Sequence, residues 1–397
     1  MFKYFSFSNI VAGFVAVLVG FTGSAVLVFQ AATAAGASPA EISSWLFALG
    51  MSMAITCTGL SLYYRMPILT GWSTSGAALL ATGLAGVPMP EAIGAFIFAA
   101  FLTILTGVTG LFEKAMKHIP RSLTSAMLAG ILIHFGMNIF VAMQDQFILI
   151  ITMLITYLVG KRMFPRYVII LVLMAGILVA ELLGLFQLTD FHVTLSSPIF
   201  ITPVFSLSAL CSIGIPLFIV TMTSQNIPGV AVLHASGYKP AISPIISWTG
   251  LTNLLLAPFG SYSICLAALT AAICTNKEAD IDPGNRYKST VFDGICWFFI
   301  GIFGATIVSL FFAFPKELLL AVAGFALLGT IGSSIKGAME DDKYREPALI
   351  TMLASASGIT VFGIGAAFWG LLAGIVSEMM LNWYEKEHMY VVTATSS

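Results

Sequence analysis

Residues Pro67–Leu80 read PILTGWSTSGAALL, and this stretch decides the fold. Pro67 and Gly71 disfavour a helix in its first half, whereas the closing run of alanine and leucine favours one. Ser73 stands between the two parts, where a serine hydroxyl is a good helix N-cap. We therefore expect an extended chain that becomes a half-helix at Ser73, in a segment too short to cross a bilayer as one regular helix.

A second stretch of the same kind begins at Ala257. It runs from Ala257-Pro258 through Gly260-Ser261-Tyr262-Ser263 to Ala267-Ala268-Leu269, so that Ser263 corresponds to Ser73. Another match lies earlier in each half. Residues 36–39 and 237–240 both run from Gly to Pro, and a Ser-Trp pair follows each of them. These matches predict that the chain contains two copies of one unit.

The composition is that of an integral membrane protein. Of the 397 residues, 58% are hydrophobic and 9% are charged, and the mean hydropathy is +0.98. Soluble domains carry about 25% charged residues. Charge-free runs between Lys3 and Glu41 and between Arg65 and Glu91 are long enough for membrane helices. The net charge of −1 argues against a nucleic-acid partner and against a polybasic lipid-binding patch.

The positions of the basic residues predict the topology. Splitting the apolar runs at Gly, Pro and charge clusters gives about fourteen segments, which start near residues 8, 40, 67, 90, 119, 146, 166, 207, 240, 258, 288, 317, 347 and 366. With a cytoplasmic N-terminus, all 17 Lys and Arg residues except Lys316 fall on the cytoplasmic side. Both termini are then cytoplasmic, and Phe186–Phe205 is a long external loop. We expect a multi-pass protein of the bacterial inner membrane.

The segment count also predicts how the two copies are related. Each copy holds seven segments, and because seven is odd the second copy enters the membrane from the opposite side. The expected fold is therefore an all-α membrane protein of two inverted repeats, with short, partly extended segments 3 and 10. Inverted repeats with broken helices are typical of secondary transporters, whose sites lie on the broken helices near mid-membrane.

The two short segments predict a site for an anion. Each half-helix N-terminus carries about half a positive charge, so two of them can balance one carboxylate without Lys or Arg. Trp72 and Tyr262 occupy matched positions beside that point, where they are expected to flank a flat ring. The candidate residues of the two segments are Gly71, Trp72, Ser73, Thr74, Ser75, Gly260, Ser261, Tyr262 and Ser263. The alternative is that these Gly and Ser residues only allow close helix packing.

Segment eight supplies further polar candidates. Thr221–Gly229 reads TMTSQNIPG, and polar residues followed by Pro-Gly in mid-span are costly in lipid unless they face a cavity. Gln225 and Asn226 are therefore expected to line the site. Hydrogen bonding between helices is the alternative role for these two amides.

Few ionisable residues lie within the spans. Glu91 opens segment four and Asp293 lies about two turns from the cytoplasmic end of segment eleven, and these two are the candidates for carrying a proton. Glu91 has the alternative role of complementing a helix dipole, and Asp293 is within reach of snorkelling. The sequence contains no Walker loop, GxSxG or HExxH motif, so we expect no catalytic residue, bound cofactor or metal, and no ATP-driven transport.

The chain resembles the benzoate:proton symporter (BenE) family over essentially its whole length, and four stretches carry the resemblance most specifically. They are Pro67–Leu80, Met222–Gly229, Ser243–Gly250 and Gly363–Leu371. More distantly, the architecture is similar to nucleobase, ascorbate and sulfate carriers with seven-plus-seven inverted repeats. The resemblance implies proton-coupled uptake of benzoate or a similar small aromatic monocarboxylate by an elevator-like movement.

The resemblance also implies a division into two domains. Residues 1–116 and 207–315 form the core domain, and residues 117–206 and 316–397 form the gate domain with the external loop and the cytoplasmic tail. The expected partners are a small carboxylate, protons and membrane lipid, and the resemblance is compatible with a homodimer through the gate domain.

Two other functions stay open at this point. An inorganic-anion or nucleobase carrier has the same fold, although nucleobase carriers hold the ring with an acidic residue near the position of Gln225. A channel is the third alternative, and the broken inverted repeat disfavours it.

Overall fold

A computed structural model describes residues 4–110, 120–165, 167–186, 193–268, 270–361 and 364–395. The first half contains helices α1 (Phe7–Ala34), α2 (Pro39–Tyr64), α3 (Thr74–Gly83), α4 (Met89–Val108), α5 (Arg121–Asp145), α6 (Phe147–Met163) and α7 (Val168–Leu182), and one strand, β1 (Thr70–Trp72). Ser6 and Ser38 begin α1 and α2 with capping boxes, in which the serine hydroxyl and the side chain three residues later satisfy free backbone N–H groups.

The second half begins with α8 (Leu207–His234), which contains π-helical turns at Leu210–Gly214 and Met222–Asn226. It continues with α9 (Ile242–Leu256), β2 (Ile264–Leu266), α10 (Ala271–Cys274), α11 (Tyr287–Ile302), α12 (Gly304–Ala313), α13 (Lys316–Met339), α14 (Arg345–Ala356), β3 (Thr360–Val361), β4 (Ile364–Gly365) and α15 (Ala366–Thr395). Helices α11 and α12 meet at a bend of 69°.

Seven of the described helices are long and apolar enough to cross a membrane: α1, α2, α4, α5, α8, α13, and α9 with the 3₁₀ turn Ala257–Phe259 that extends it. The bent pair of α11 and α12 would make an eighth span. The chain is therefore a mostly helical membrane protein, as predicted. Its elements begin close to the predicted segment starts, but fourteen spans and an inverted repeat stay predictions. The proposed boundary between residues 116 and 117 lies outside the described residues.

Two extended segments meet at the centre of the fold, where β1 and β2 pair antiparallel. Thr70 faces Leu266 and Trp72 faces Ile264, and the N–H of Ser73 donates to the carbonyl of Ser263 at 3.0 Å. Ser73 then caps α3, because its hydroxyl accepts a hydrogen bond from the N–H of Gly76 at 3.0 Å. The predicted extended-plus-half-helix form is present in the first copy.

The second copy differs from the prediction. Ser263 does not cap a helix, because the chain continues from it into β2, and the next helix is the four-residue α10. Turn-forming residues follow that helix: Asn276, Asp280, Asp282, Pro283 and Gly284. A single helical turn aligns too few peptide dipoles to act as a second half-helix. The prediction that two half-helix N-termini face the same carboxylate is therefore wrong. The ten-residue α3 is the half-helix that the site contains.

An extended strap at residues 193–206 lies across one end of the helices. Its backbone N–H groups donate to α2, α4 and α9 at Ser44, Pro90 and Pro258, with distances of 2.8 to 2.9 Å. Thr194 and Thr306 are joined by two hydrogen bonds of 3.0 and 2.9 Å, which tie the strap to α12. This strap is the described part of the predicted external loop; residues 187–192 lie outside the described residues.

The predicted orientation leads to a labelling experiment in a variant without native cysteines. Lys316→Cys should react with a membrane-impermeant thiol reagent added outside whole cells, because Lys316 is the basic residue predicted to be external. Lys277→Cys and Lys343→Cys are the controls, and both should react only after the cells are opened. Equal labelling of all three in intact cells would contradict the topology.

Candidate functional site

A cavity of about 800 Å³ opens beside β1. Its walls come from α1, β1 with α3, α8, α11 and the segment after β2 on one side, and from α6, α7 and α13 on the other. The polar or aromatic residues of the first group are Thr22, Ser24, Thr70, Trp72, Thr74, Ser75, Ser224, Gln225, Thr270, Asn276, Asp293 and Trp297. Lys161 is the basic residue and Asp293 the acidic residue among the cavity-lining residues that the structure describes.

The N-terminal turn of α3 lies at the cavity wall. Thr74 and Ser75 line the cavity, and Ser73 lies behind them with no exposed surface. The hydroxyl of Ser73 accepts from Gly76 N and from Thr221 Oγ1, the latter at 2.9 Å, so the start of the helix is held firmly. A ten-residue helix carries about half a positive charge at this end. The start of α3 therefore presents the positive end of a helix dipole to an anion in the cavity.

The π-helical turn Met222–Asn226 sends two adjacent amides to different places. Gln225 lines the cavity, and its Nε2 donates to the hydroxyl of Ser75 at 3.2 Å. Asn226 is fully buried, and its Oδ1 accepts from the N–H of Leu266 at 2.9 Å. The expectation that Asn226 lines the site is wrong, because the Asn226 side chain is hydrogen bonded to β2 and so connects that strand to α8. Gln225 and the start of α3 together form the polar corner of the cavity.

Two indole rings form an aromatic wall. Trp72 and Trp297 both line the cavity, with ring centroids 4.8 Å apart and an interplanar angle of 70°. The Nε1 of Trp72 donates to the hydroxyl of Ser24 on α1 at 2.7 Å, which fixes the orientation of its ring. Trp72 was expected at this wall. Its partner is Trp297 of α11 and not Tyr262.

Tyr262 and its neighbours support the site from behind. Tyr262 is fully buried against Trp45 and Phe96, and its hydroxyl donates to the carbonyl of Ser73 at 3.1 Å. Ser261 donates to Asn253 Oδ1 at 2.7 Å, and Ser263 shares a hydrogen bond of 3.1 Å with Thr221.

Gly260 completes this support at a φ of 105°. An added Cβ there would lie 2.0 Å from Trp45 Cδ1, so a larger residue has no room. The sequence match placed all four residues in the site because it equated Ser263 with Ser73. In the structure β1 ends before Ser73, whereas β2 begins after Ser263.

The two acidic candidates lie in different surroundings. Glu91, at the start of α4, accepts a hydrogen bond from Ser206 of the strap and is absent from the described cavity wall. Asp293 is fully buried at the cavity, and neither carboxylate oxygen makes a well-formed hydrogen bond. Snorkelling of Asp293 to the surface is therefore wrong. Its depth follows from close packing, since a Cβ at Gly13 of α1 would lie 3.0 Å from the N–H nitrogen of Asp293.

The sequence did not lead us to predict three parts of the cavity wall: Trp297, Lys161, and the glycines Gly20 and Gly23. Trp297 is four residues after Asp293 on the same helical face, and that spacing was a usable signal. Lys161 was counted only as a basic residue of the topology; it lies at the cavity with its ammonium 5.8 Å from the ring centroid of Tyr157. Gly20 and Gly23 of α1 were overlooked as lining residues because small residues in membrane helices usually serve packing.

The structure resembles solved membrane proteins at low sequence identity. The transmembrane domain of the cyanobacterial bicarbonate transporter BicA has a TM-score of 0.59 and 13% identity, over 93% of this chain and 97% of that chain. The murine Solute Carrier 26 family member A9 anion transporter in the inward-facing state has a TM-score of 0.58 and 12% identity, over 97% of this chain and 69% of that chain. These likenesses show a shared fold.

The fold is that of a multi-pass membrane protein, and sequence relatives define its class. The inner membrane protein YdcO of Escherichia coli (strain K12) is 45% identical over 96% of this chain and 98% of its own length. The benzoate membrane transport protein of Acinetobacter baylyi is 38% identical, over 95% of each chain. The family described as benzoate membrane transport protein (BenE) matches residues 3–380. The chain belongs to this family, whose members are transporters and not enzymes.

Proposed function

We propose that this chain takes up benzoate or a similar small aromatic monocarboxylate together with protons. The observation that carries the proposal is the cavity itself, which places the start of α3 and the Gln225 amide beside the indoles of Trp72 and Trp297. A helix start and an amide suit a carboxylate. Flat indole faces suit an aromatic ring. A relative of 38% identity carries the name benzoate membrane transport protein, which supports the same substrate class.

The carboxylate and the ring would bind to opposite parts of the cavity. The carboxylate accepts hydrogen bonds from the first backbone N–H groups of α3, at Thr74 and Ser75, and from the Gln225 amide. The ring then lies along Trp72 and Trp297. A cavity of about 800 Å³ is within the usual range for ligand sites, roughly 300–1,000 Å³. It leaves room around benzoate for water or ring substituents.

The described conformation supports an inward-open state of an elevator-like carrier. Four exposed cavity residues, Lys161, Pro165, Asn276 and Ser333, lie near helix ends that the topology places in the cytoplasm. The substrate groups lie on β1, α3, α8 and α11 of the proposed core, whereas Lys161 and Ser333 lie on the proposed gate. Movement of the core along the gate would carry a bound anion away from this opening. A related fold has been solved in a state titled inward-facing.

The strap gives a test of how the domains divide. The division expected from the sequence places residues 193–206 in the gate. Their hydrogen bonds instead join them to α2, α4, α12 and the 3₁₀ turn after α9, which all belong to the proposed core, so we infer that the strap moves with the core. A disulfide between Thr194→Cys and Thr306→Cys, in a variant without native cysteines, should therefore leave the initial transport rate within about twofold of the reduced protein. The single-cysteine variants are the controls. A large loss on oxidation that a reductant restores would mean that the strap belongs to the gate.

A thermal-shift assay on the purified protein tests the substrate class. A ligand at a hundred times its dissociation constant stabilises the folded state by about 2.7 kcal/mol. Benzoate should raise the unfolding temperature in a saturable way, whereas uracil should not. Stabilisation by uracil, sulfate or bicarbonate without stabilisation by benzoate would overturn the proposal. Bicarbonate is included because the structurally similar BicA is a bicarbonate transporter.

A further inference from the structure

Asp293 is a buried carboxyl at the wall of the substrate cavity, and the binding of an anion does not explain why an acidic residue lies there. Its exposed fraction is 0%, and neither carboxylate oxygen makes a well-formed hydrogen bond; the polar side chains beside it are the neutral Cys57 thiol and Trp297 indole. The residue belongs to the cavity wall, one helical turn before Trp297 on α11. Burying an ionised carboxylate without a cationic partner is costly, so a carboxyl in this position is suited to taking up a cation, of which the proton is the smallest.

The groups packed around Asp293 supply no cationic partner. From α2 the titratable neighbour is Cys57, whose thiol donates to the carbonyl of Thr70 at 3.3 Å. Cys274 of α10 belongs to the same buried cluster as Cys57, and α1 contributes the small residues Gly13 and Ala16. Cys296 is the titratable neighbour on α11 itself.

Two arginines near the start of α11 are held by other partners. Arg65 donates to the hydroxyl of Tyr287, and Arg286 donates to the carbonyls of Thr275 and Asp280. Across the cavity, Lys161 lies on α6. Among the residues that the structure describes, no cation is within ion-pair distance of Asp293. The carboxyl is therefore free to accept a proton from water in the cavity.

We propose that Asp293 is the proton-binding site of the carrier and that its protonation is coupled to occupation of the anion site at the start of α3. This rests on the proposed function. Both groups line one cavity walled by protein, where two negative charges repel more strongly than in bulk water. A carboxylate ligand therefore binds better when Asp293 is neutral, and the bound ligand in turn strengthens proton binding, because the coupling is reciprocal.

The transport cycle then balances in atoms and charge. On loading, a water-borne proton bonds to one oxygen of Asp293 as the substrate carboxylate enters, so the two added charges cancel. On the other side the O–H bond breaks, and the proton and the carboxylate leave to water. No other bond changes. Glu91 has no part in this cycle, because it is hydrogen bonded to the strap at Ser206.

Isothermal titration calorimetry of the purified protein tests whether benzoate binding is coupled to protonation of Asp293. It avoids the leakage of benzoic acid through lipid that complicates transport assays. Benzoate is titrated at several pH values from about 5 to about 9, each in two buffers of different ionisation enthalpy, and the difference in heat counts the protons bound per benzoate. In the wild type and in the matched variant Glu91→Gln, this number should rise towards one with increasing pH, as Asp293 of the free protein becomes ionised. Asp293→Asn should bind benzoate with close to zero proton uptake. From about pH 5 to about pH 9, where benzoate is ionised, the affinity of the wild type should fall as pH rises, and that of Asp293→Asn should stay flat.

The outcomes separate the two proposals. Absence of benzoate binding to the wild type would remove the proposed function itself. Benzoate binding with undiminished proton uptake in Asp293→Asn, or with no proton uptake by the wild type at any pH from about 5 to about 9, would overturn the role of Asp293 alone. If Asp293→Asn does not fold, Asp293→Glu decides the matter. Its longer carboxyl should keep the proton uptake and shift its pH midpoint, and an unshifted midpoint would contradict the proposal.

Discussion

Gln225→Glu is expected to weaken benzoate binding by roughly a hundredfold or more at neutral pH. The structure places Gln225 Nε2 3.2 Å from the hydroxyl of Ser75, beside the start of α3. A glutamate there replaces an amide donor with a negative charge at the point where the substrate carboxylate is proposed to bind. In a poorly screened cavity that repulsion costs a few kcal/mol. Binding is expected to recover partly as pH falls and the new carboxyl becomes protonated.

Two further variants serve as controls, one for the loss of the amide donor and one for the location of the site. Gln225→Leu removes the donor without adding charge, so it should weaken binding less and without the added pH dependence. Glu378→Gln, on α15 of the proposed gate, should leave affinity nearly unchanged. If Gln225→Glu binds benzoate as well as the wild type at pH 7 while Glu378→Gln abolishes binding, the substrate site lies in the other domain.

Gly23→Phe is expected to abolish measurable benzoate binding, a loss of at least a hundredfold, while the protein still folds. Gly23 lines the cavity in the middle of α1, and an added Cβ there would meet no atom within 4 Å. A phenyl side chain therefore enters the cavity and not the protein interior. Replacing glycine within a helix also favours the helical state by a few tenths of a kcal/mol or more. Binding is measured by calorimetry and folding by the unfolding temperature.

Gly59 of α2 provides the matched control. It is exposed, an added Cβ there also meets no atom within 4 Å, and it is absent from the described cavity wall. Gly59→Phe should therefore bind benzoate like the wild type, and Gly23→Ala should lose little. Normal benzoate binding by a folded Gly23→Phe protein would show that the ligand does not use this cavity.

The first short segment could be predicted from sequence because local chemistry decides it. Pro67 and Gly71 exclude an early helix, Ser73 supplies a cap, and the alanine and leucine residues that follow favour a helix wherever the chain is placed. Gln225 could be predicted for a related reason, since an amide in mid-membrane needs a polar partner. It has one in Ser75.

The positions of the other site residues depend on how distant segments of the chain pack together, which local sequence patterns do not reveal. Tyr262 matches Trp72 in the repeat, but the register of β1 with β2 turns Tyr262 towards Trp45 and Phe96, behind the cavity. Asn226 stands next to Gln225, and the π-helical turn directs it to β2 instead. Asp293 is close to a helix end along the chain, yet the close approach of α1 at Gly13 buries it.

The proposed substrate site can be tested directly by locating bound 4-bromobenzoate through the anomalous scattering of its bromine. A single strong bromine position is expected in the cavity beside Trp72 and Trp297, with the carboxylate directed to Thr74 and Ser75 at the start of α3. The Gly23→Phe protein should show no bromine there under the same conditions. A strong bromine position outside this cavity, with the cavity empty in the wild type, would show that benzoate binds elsewhere.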